Sequence, residues 1–236
     1  MKSNIINQYF ENVFVISTVE NTGRQKYVMD YLNNLGVKYN LRIAPPKKFF
    51  EGRLCDDFVR GWDQNSYLCN GNISLKLCYA SIFSECIYNN INKLLILEDD
   101  ILFENDYETK FDNFMTHIPN DWDHLNIGYH EGKNLFGAWR FENINEYVAL
   151  SETSYTTHAV AFRGADTLRR ITDKIVTSNI PIDYVFVYFT HVLKCEGKQF
   201  MRSYIPNEII CRQQSYRSDC ECVLPDAKPM FKSLIG

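Results

Sequence analysis

Apolar positions along this chain switch between two rhythms, and each switch marks an element. Val13-Phe14-Val15-Ile16-Ser17 is an apolar run closed by a serine, the first credible strand. From Gln25 the spacing becomes helical through Val28, Met29, Leu32 and Leu35, and Gly36 stands where a left-handed C-terminal cap is wanted. Val37 to Ile43 reads as a second strand, closing a strand–helix–strand unit. Residues 49–74 are loop-rich. A short helix is expected near Asp56–Trp62, with Phe49, Phe50, Phe58 and Trp62 as core under a long loop. The next predicted helix runs from Leu75 to Tyr88, with Cys78, Ile82, Phe83, Cys86 and Ile87 on one broad apolar face. It leads into Leu94-Leu95-Ile96-Leu97, which ends abruptly on Glu98-Asp99-Asp100.

The second half continues the alternation. A helix is predicted around Asp106–His117, stopped by Pro119, and a strand over Trp122–Ile127 with Gly128 at its end. Leu135 to Glu146 reads as an irregular flap. Tyr147–Leu150 and Thr156–Phe162 read as two strands, expected to pair with one another. Arg163-Gly164 turns the chain into an amphipathic helix over Ala165–Val176. Pro181-Ile182-Asp183 opens an aromatic-rich element from Tyr184 to Leu193, and Phe200–Tyr204 is a late strand. The pattern predicts an α/β fold with a mostly parallel central sheet flanked by helices. No Pro/Gly/Ser-rich linker interrupts it, so residues 1–236 are expected to form one domain.

Composition narrows the classes of partner. A formal charge of −4, from 25 basic and 29 acidic residues, gives no electrostatic reason to bind nucleic acid. No apolar run reaches membrane-spanning length, and Met1 to Asn12 lacks a secretory pattern. The eight cysteines are scattered and read mainly as free thiols of a reducing compartment, so a cytoplasmic location is expected, in a viral host included. Cys220-Glu221-Cys222 with Cys211 or His191 would make a zinc set, but no CxxC pair supports it. Asn72-Ile73-Ser74 is a formal glycosylation sequon, relevant only to a secreted protein.

The chemistry concentrates after the central strand. Open α/β sheets present ligand sites beyond the carboxyl ends of their strands. Three adjacent carboxylates there repel one another, and a divalent cation on hard oxygen ligands would offset them. An acidic surface turn is the plain alternative. No GxGxxG or GxxxxGK follows the first strand, against the usual dinucleotide and P-loop sites.

Several separated stretches resemble one family in the family's own order. Val13–Ser17 with Arg24 is similar to its first strand and arginine-bearing loop, and Ile96-Leu97-Glu98-Asp99-Asp100-Ile101 to its acidic signature. Thr157 to Ala165, Pro181-Ile182-Asp183, and Gln213 with Ser218-Asp219 resemble its later motifs. Across residues 13–219 the chain resembles glycosyltransferase family 25, the LPS-type and procollagen galactosyltransferase-like enzymes. One departure stands out: Cys78-Tyr79 occupies the place of the family's Ser-His.

The resemblance implies a GT-A fold, with residues 13–100 binding a nucleotide sugar and residues 101–236 the acceptor and a closing segment. It implies an inverting, Mn²⁺- or Mg²⁺-dependent transfer of a hexose from a UDP-sugar to a hydroxyl of a glycan or glycosylated protein. Asp100, Glu98 and His191 are the implied metal ligands, and Asp183 or Asp219 the implied base. Ile16, Ser17, Arg24, Tyr79, Glu98, Asp99, His158 and Gln213 are the implied donor contacts, with the Gln213–Asp219 segment closing over the nucleotide. Read by themselves, several of these have plainer roles. Asp183 fits a helix N-cap, Asp99 a turn cap, Arg24 a solvated loop arginine, and His158 and His191 core histidines. The competing functions are a catalytically impaired binding protein, which Tyr79 allows, and a metal-dependent phosphohydrolase using the same acids. An exposed aromatic surface along Tyr184–Phe189 would suit a homodimer contact.

Overall fold

The computed structural model describes residues 4–50, 70–128, 141–152, 156–178 and 180–214. The expected helix at Asp56–Trp62, the first part of the flap and Asp219 lie outside these residues. The N-terminal part forms α1 (Ile5–Tyr9), β1 (Asn12–Thr18), α2 (Thr22–Asn34), β2 (Asn40–Ala44), α3 (Asn70–Tyr88) and β3 (Lys93–Glu98). There follow β4 (Ile101–Phe103), α4 (Tyr107–His117), β5 (His124–Asn126), β6 (Phe141–Asn143), β7 (Val148–Ser151) and β8 (Ala159–Arg163). Last come α5 (Ala165–Thr177), α6 (Ile182–Val187), β9 (Ser203–Pro206) and β10 (Cys211–Gln213). A π-helical turn over Tyr188–Val192 extends α6.

Eight of the described strands form one sheet in the order β2-β1-β3-β8-β5-β9-β7-β6. It is mixed, which corrects the expectation of a mostly parallel sheet. β1 runs parallel to β2 and β3, and β5 parallel to β9, but β8 inserts antiparallel between β3 and β5. β7 pairs antiparallel with β9 and β6, not with β8, so the expected pairing of those two strands is also corrected. Part of the expected flap, Phe141–Asn143, is therefore an edge strand. The late strand begins at Ser203 rather than Phe200, and α3 begins at Asn70, earlier than Leu75.

The two-sided burial of β1 and β3 has a direct cause. Successive strand residues point to opposite faces, and both faces are covered. Val13, Val15, Leu95 and Leu97 meet Val28 and Leu32 of α2 and Phe111 and Phe114 of α4. Phe14, Ile16, Leu94 and Ile96 meet Ile82 and Phe83 of α3, Leu168 and Ile171 of α5, and Phe186 of α6. Gly36, at φ 71°, ends α2 in the left-handed region where a side chain would cost energy. The apolar residues of Tyr184–Phe189 serve this core: Val185, Phe186, Val187 and Phe189 are buried, so the aromatic surface expected there is not exposed. Asn72 and Ser74 are buried within α3, which closes the formal sequon to modification.

Candidate active site

A cleft with about 500 Å³ of space, partly open to solvent, lies where the carboxyl ends of β1 and β3 meet the start of α3. Of the residues singled out in the sequence, Ile16, Ser17, Arg24, Glu98, Asp99, Asp100 and Gln213 all line it. β1 carries Ile16 and Ser17, the loop beyond β1 and the first turn of α2 bring Arg24, and β3 ends on Glu98.

The acids are held in three different ways. Asp99 is buried, with Oδ2 accepting from Ser17 Oγ at 2.5 Å and Oδ1 paired to Arg24. Asp100, equally buried, receives Arg24 Nη2 at 2.7 Å and Gln213 Nε2 at 2.9 Å on Oδ2. Its Oδ1 makes no hydrogen bond among the described residues. Glu98 receives the Thr157 hydroxyl on Oε1. Burial, with the neighbouring Asp100 charge, pushes the Glu98 carboxyl well above the ordinary range. Burial also raises Asp100, while Gln213 and Arg24 oppose the rise.

Gln213 reaches the site because β10 pairs antiparallel with β4, placing Gln213 opposite Ile101. Gln214 N donates to the Asp100 carbonyl at 2.8 Å, so the strap is fastened to the acidic turn at two points. On the other side Thr156 takes φ 86°, unusual for a β-branched residue, just before Thr157 and His158. The Glu98 amide donates to the His158 carbonyl at 3.0 Å. The His158 ring is buried over Gly128, where a Cβ would stand only 2.4 Å from the ring, so that position admits no side chain without movement.

Among the described residues, the remaining sequence candidates do not line the cleft. Tyr79 is fully buried and its hydroxyl donates to the Thr157 carbonyl at 3.2 Å. Burial, with the negative charge of Glu98 nearby, pushes that hydroxyl well above its ordinary pKa. Asp183, half-buried in the first turn of α6, accepts from Tyr184 N at 3.0 Å, and burial raises its pKa to about 6. His191 is buried on the π-helical turn with Nδ1 3.2 Å from Glu152 Oε2, a carboxylate that Lys194 also engages.

Sequence reading missed two features of the cleft. Lys47, in a short helical turn after β2, adds a second cation beside Arg24. Gly71, Ser74 and Leu75 bring the N-terminal turn of the 19-residue α3 to the same place, where its backbone dipoles favour an anion. The Ala44-Pro45-Pro46-Lys47 break after a strand was the available signal for Lys47. Ser74 Oγ donates to the Pro45 carbonyl at 2.5 Å and ties this loop to the helix.

A carboxylate cluster beyond the ends of parallel strands, facing two cations and a helix N-terminus, sits within a GT-A-like nucleotide-sugar transferase fold. The family model "Glycosyltransferase family 25 (LPS biosynthesis protein)" matches residues 10–177, and the chain belongs to that family. It is a glycosyltransferase, acting on nucleotide-sugar substrates in general. No curated protein matches it by sequence. Among solved structures it is similar to a glycosyltransferase involved in the glycosylation of the major capsid of PBCV-1, at 10% identity and a TM-score of 0.47 over 87% of this chain and 94% of that one. It is also similar to the inositol-1-phosphate CTP transferase from T. maritima, at 12% identity and 0.45 over 96% and 95%. A third likeness is A197 from STIV, at 14% identity and 0.41 over 82% and 80%. Likenesses this distant carry no argument about activity.

Proposed function

We propose that the chain is an inverting, metal-dependent hexosyltransferase, moving the sugar of a UDP-sugar onto a hydroxyl of a glycan or glycosylated protein. The observation that carries this reading is the convergence of Glu98, Asp99 and Asp100 with Arg24 and Lys47 in one cleft at the strand ends. Arg24, Lys47 and the α3 N-terminus suit a diphosphate, and Ile16 and Ser17 on β1 suit the nucleoside beside it. Strands from both halves share one sheet, which supports reading residues 1–236 as one domain, with residues 13–100 handling the donor and residues 101–236 the acceptor.

Among the described residues no group of three or more His, Cys, Asp or Glu side chains is arranged around a metal position. The site still fits a hard divalent ion. Mg²⁺-type ions are commonly held by one or two carboxylates together with substrate phosphates and water. Asp100 offers an oxygen that no hydrogen bond among the described residues uses, and a nearby cation would bring Glu98 back toward ionisation. Asp100 and Glu98 would hold Mn²⁺ or Mg²⁺, which when bound supplies charge neutralisation for the departing diphosphate. His191 lies with Glu152 and is not needed for this set.

Inversion requires the acceptor hydroxyl to attack opposite the leaving diphosphate and to lose its proton as it does so. Asp183 is the proposed acceptor of that proton: it stands outside the cleft's lining, so the role requires the acceptor substrate to bind on its side, and its raised pKa suits a base working near neutrality. Tyr79, which stands in the sequence where the family has Ser-His, is fully buried and bonded to the Thr157 carbonyl, next to the hydroxyl that Glu98 accepts from. The same buried tyrosine favours the second reading, a donor-binding protein with impaired catalysis.

Thermal unfolding tests the proposal. Mn²⁺ with UDP is expected to raise the melting temperature by several degrees and Asp100→Ala to abolish the rise, since binding stabilises by mass action. No rise in the wild-type chain would sink it. Transfer of hexose to a sugar hydroxyl separates the transferase from the binding protein and from a phosphohydrolase.

A further inference from the structure

Resting on that reading, we propose that Arg24 holds the place of the divalent cation until a nucleoside diphosphate arrives and then yields it, so that cation and diphosphate bind cooperatively. Asp99 and Asp100 are only 4% and 3% exposed, and carboxylates so deeply withdrawn from water need a countercharge. Arg24 supplies it to both at once: Nη2 pairs with Asp99 Oδ1 and lies 2.7 Å from Asp100 Oδ2. The cleft therefore comes with its own cation already seated.

A guanidinium and a divalent ion cannot share those oxygens, because like charges a few ångströms apart repel strongly in a partly dehydrated site. The two aspartates also differ in what they can release. Asp99 keeps Ser17 on its other oxygen, whereas Asp100 keeps Gln213 and has an Oδ1 that makes no hydrogen bond among the described residues. Asp100 is thus the carboxylate Arg24 gives up first. Arg24 has room to leave, since its side chain retains 17% exposure and stands in the first turn of α2 at the mouth of the cleft. An arriving diphosphate brings it new acceptors. The oxygens of a diphosphate, lying against Lys47 and the start of α3, present the paired acceptors that a guanidinium fork matches. A cation alone has to strip Arg24 from Asp100 uncompensated, while with diphosphate present the exchange conserves ion pairs. By linkage each ligand then tightens the other by the same factor.

The test is Mn²⁺ binding to the metal-free full chain, read by electron paramagnetic resonance of free Mn²⁺. Wild type is expected to bind Mn²⁺ weakly alone, and at least tenfold more tightly with saturating UDP after correction for Mn²⁺–UDP in solution. Uridine, lacking the diphosphate, is expected to leave the affinity unchanged. Arg24→Gln is expected to bind Mn²⁺ alone at least tenfold more tightly than wild type and to lose most of the coupling, whereas Arg24→Lys, which keeps the charge, stays near wild type. A merely structural Arg24 predicts the reverse, a variant that binds Mn²⁺ no better or worse. Arg24→Gln binding Mn²⁺ like wild type, while still taking up Mn²⁺ with UDP, rejects the exchange and leaves the transferase reading standing. If wild type binds neither Mn²⁺ nor UDP, both fall. Should Arg24→Gln fail to fold, the wild-type arms decide: equal tightening by uridine and UDP overturns the proposal.

Discussion

Asp183 is a side chain held at a cost to stability. Its pKa of about 6 lies above the 3.8 usual for aspartate, and burial is the main cause. The unfolded chain therefore releases this proton first as pH rises, and the folded state loses stability between about pH 4 and pH 6. Full burial would make that loss about 3 kcal/mol; for a half-buried group on the order of 1–2 kcal/mol is reasonable. Asp183→Asn keeps an oxygen for the Tyr184 amide and removes the charge. We expect it to raise the melting temperature at pH 7.5 by a few degrees, with the gain vanishing below pH 4, as differential scanning calorimetry would show. The same variant is expected to lower kcat roughly 10²-fold or more, and wild-type kcat/KM to fall on the acid side with an apparent pKa near 6. Lost activity without gained stability would mark Asp183 as a structural first-turn residue. Its position was legible from Pro181-Ile182-Asp183. That it stands outside the cleft's lining was not, because local sequence does not say which element ends the sheet brings together.

At the scale of elements, the parts written as pure periodicity came through: β1, α2, β3 and α5 stand close to their expected limits. The orientation of β8 did not, for a physical reason. A strand buried on both faces shows the same apolar run whether its neighbours are parallel or antiparallel. The beginning of α3 was hidden too, because Asn70-Gly71-Asn72 looks like loop while forming the helix's first turn. That helix carries an unforeseen clamp. Lys76 is buried, and its Nζ donates to the carbonyls of Ser178 at 2.5 Å and Ile180 at 3.1 Å, fastening the end of α5 and the approach to Asp183. Replacing it with methionine strands both carbonyls, and a loss of about 2 kcal/mol is expected. Amide exchange should quicken first at Val185–Val187 of α6. The pH sign is definite. Burial, with Lys174 nearby, lowers the Lys76 pKa to about 8 against 10.5, so the unfolded chain holds the extra proton between those values. Wild-type stability therefore gains from this group as pH rises from 8 to 10.5, and Lys76→Met should lack that gain in urea titrations.

Across the whole molecule, acid sensitivity has an identifiable source in the middle of the sheet. His124 on β5 is buried between β8 and β9, with Nδ1 2.8 Å from Ser203 Oγ and its ring 5.1 Å and 5.3 Å from Phe162 and Phe186. Its Nε2 has no partner among the described residues, so a second proton would enter an apolar space with nothing to receive it. Burial accordingly lowers its pKa from 6.5 to about 3. Between those values the unfolded chain binds a proton that the native chain refuses, and native stability falls as pH falls, by up to about 1.4 kcal/mol per pH unit. Glu98, Asp100 and Asp183 act in the opposite sense, because their raised pKa values let the native chain take up protons first. The wild-type curve is therefore a difference of opposing contributions and flatter than either alone. Subtraction isolates the histidine. His124→Gln removes the titration and leaves an amide for Ser203, so its stability relative to wild type should climb by about 1.4 kcal/mol per pH unit from pH 6 to pH 4. Since the carboxylates are common to both proteins, they cancel in that comparison. Parallel curves would mean that this ring reaches water, and with it that the sheet around β5 is looser than its packing describes.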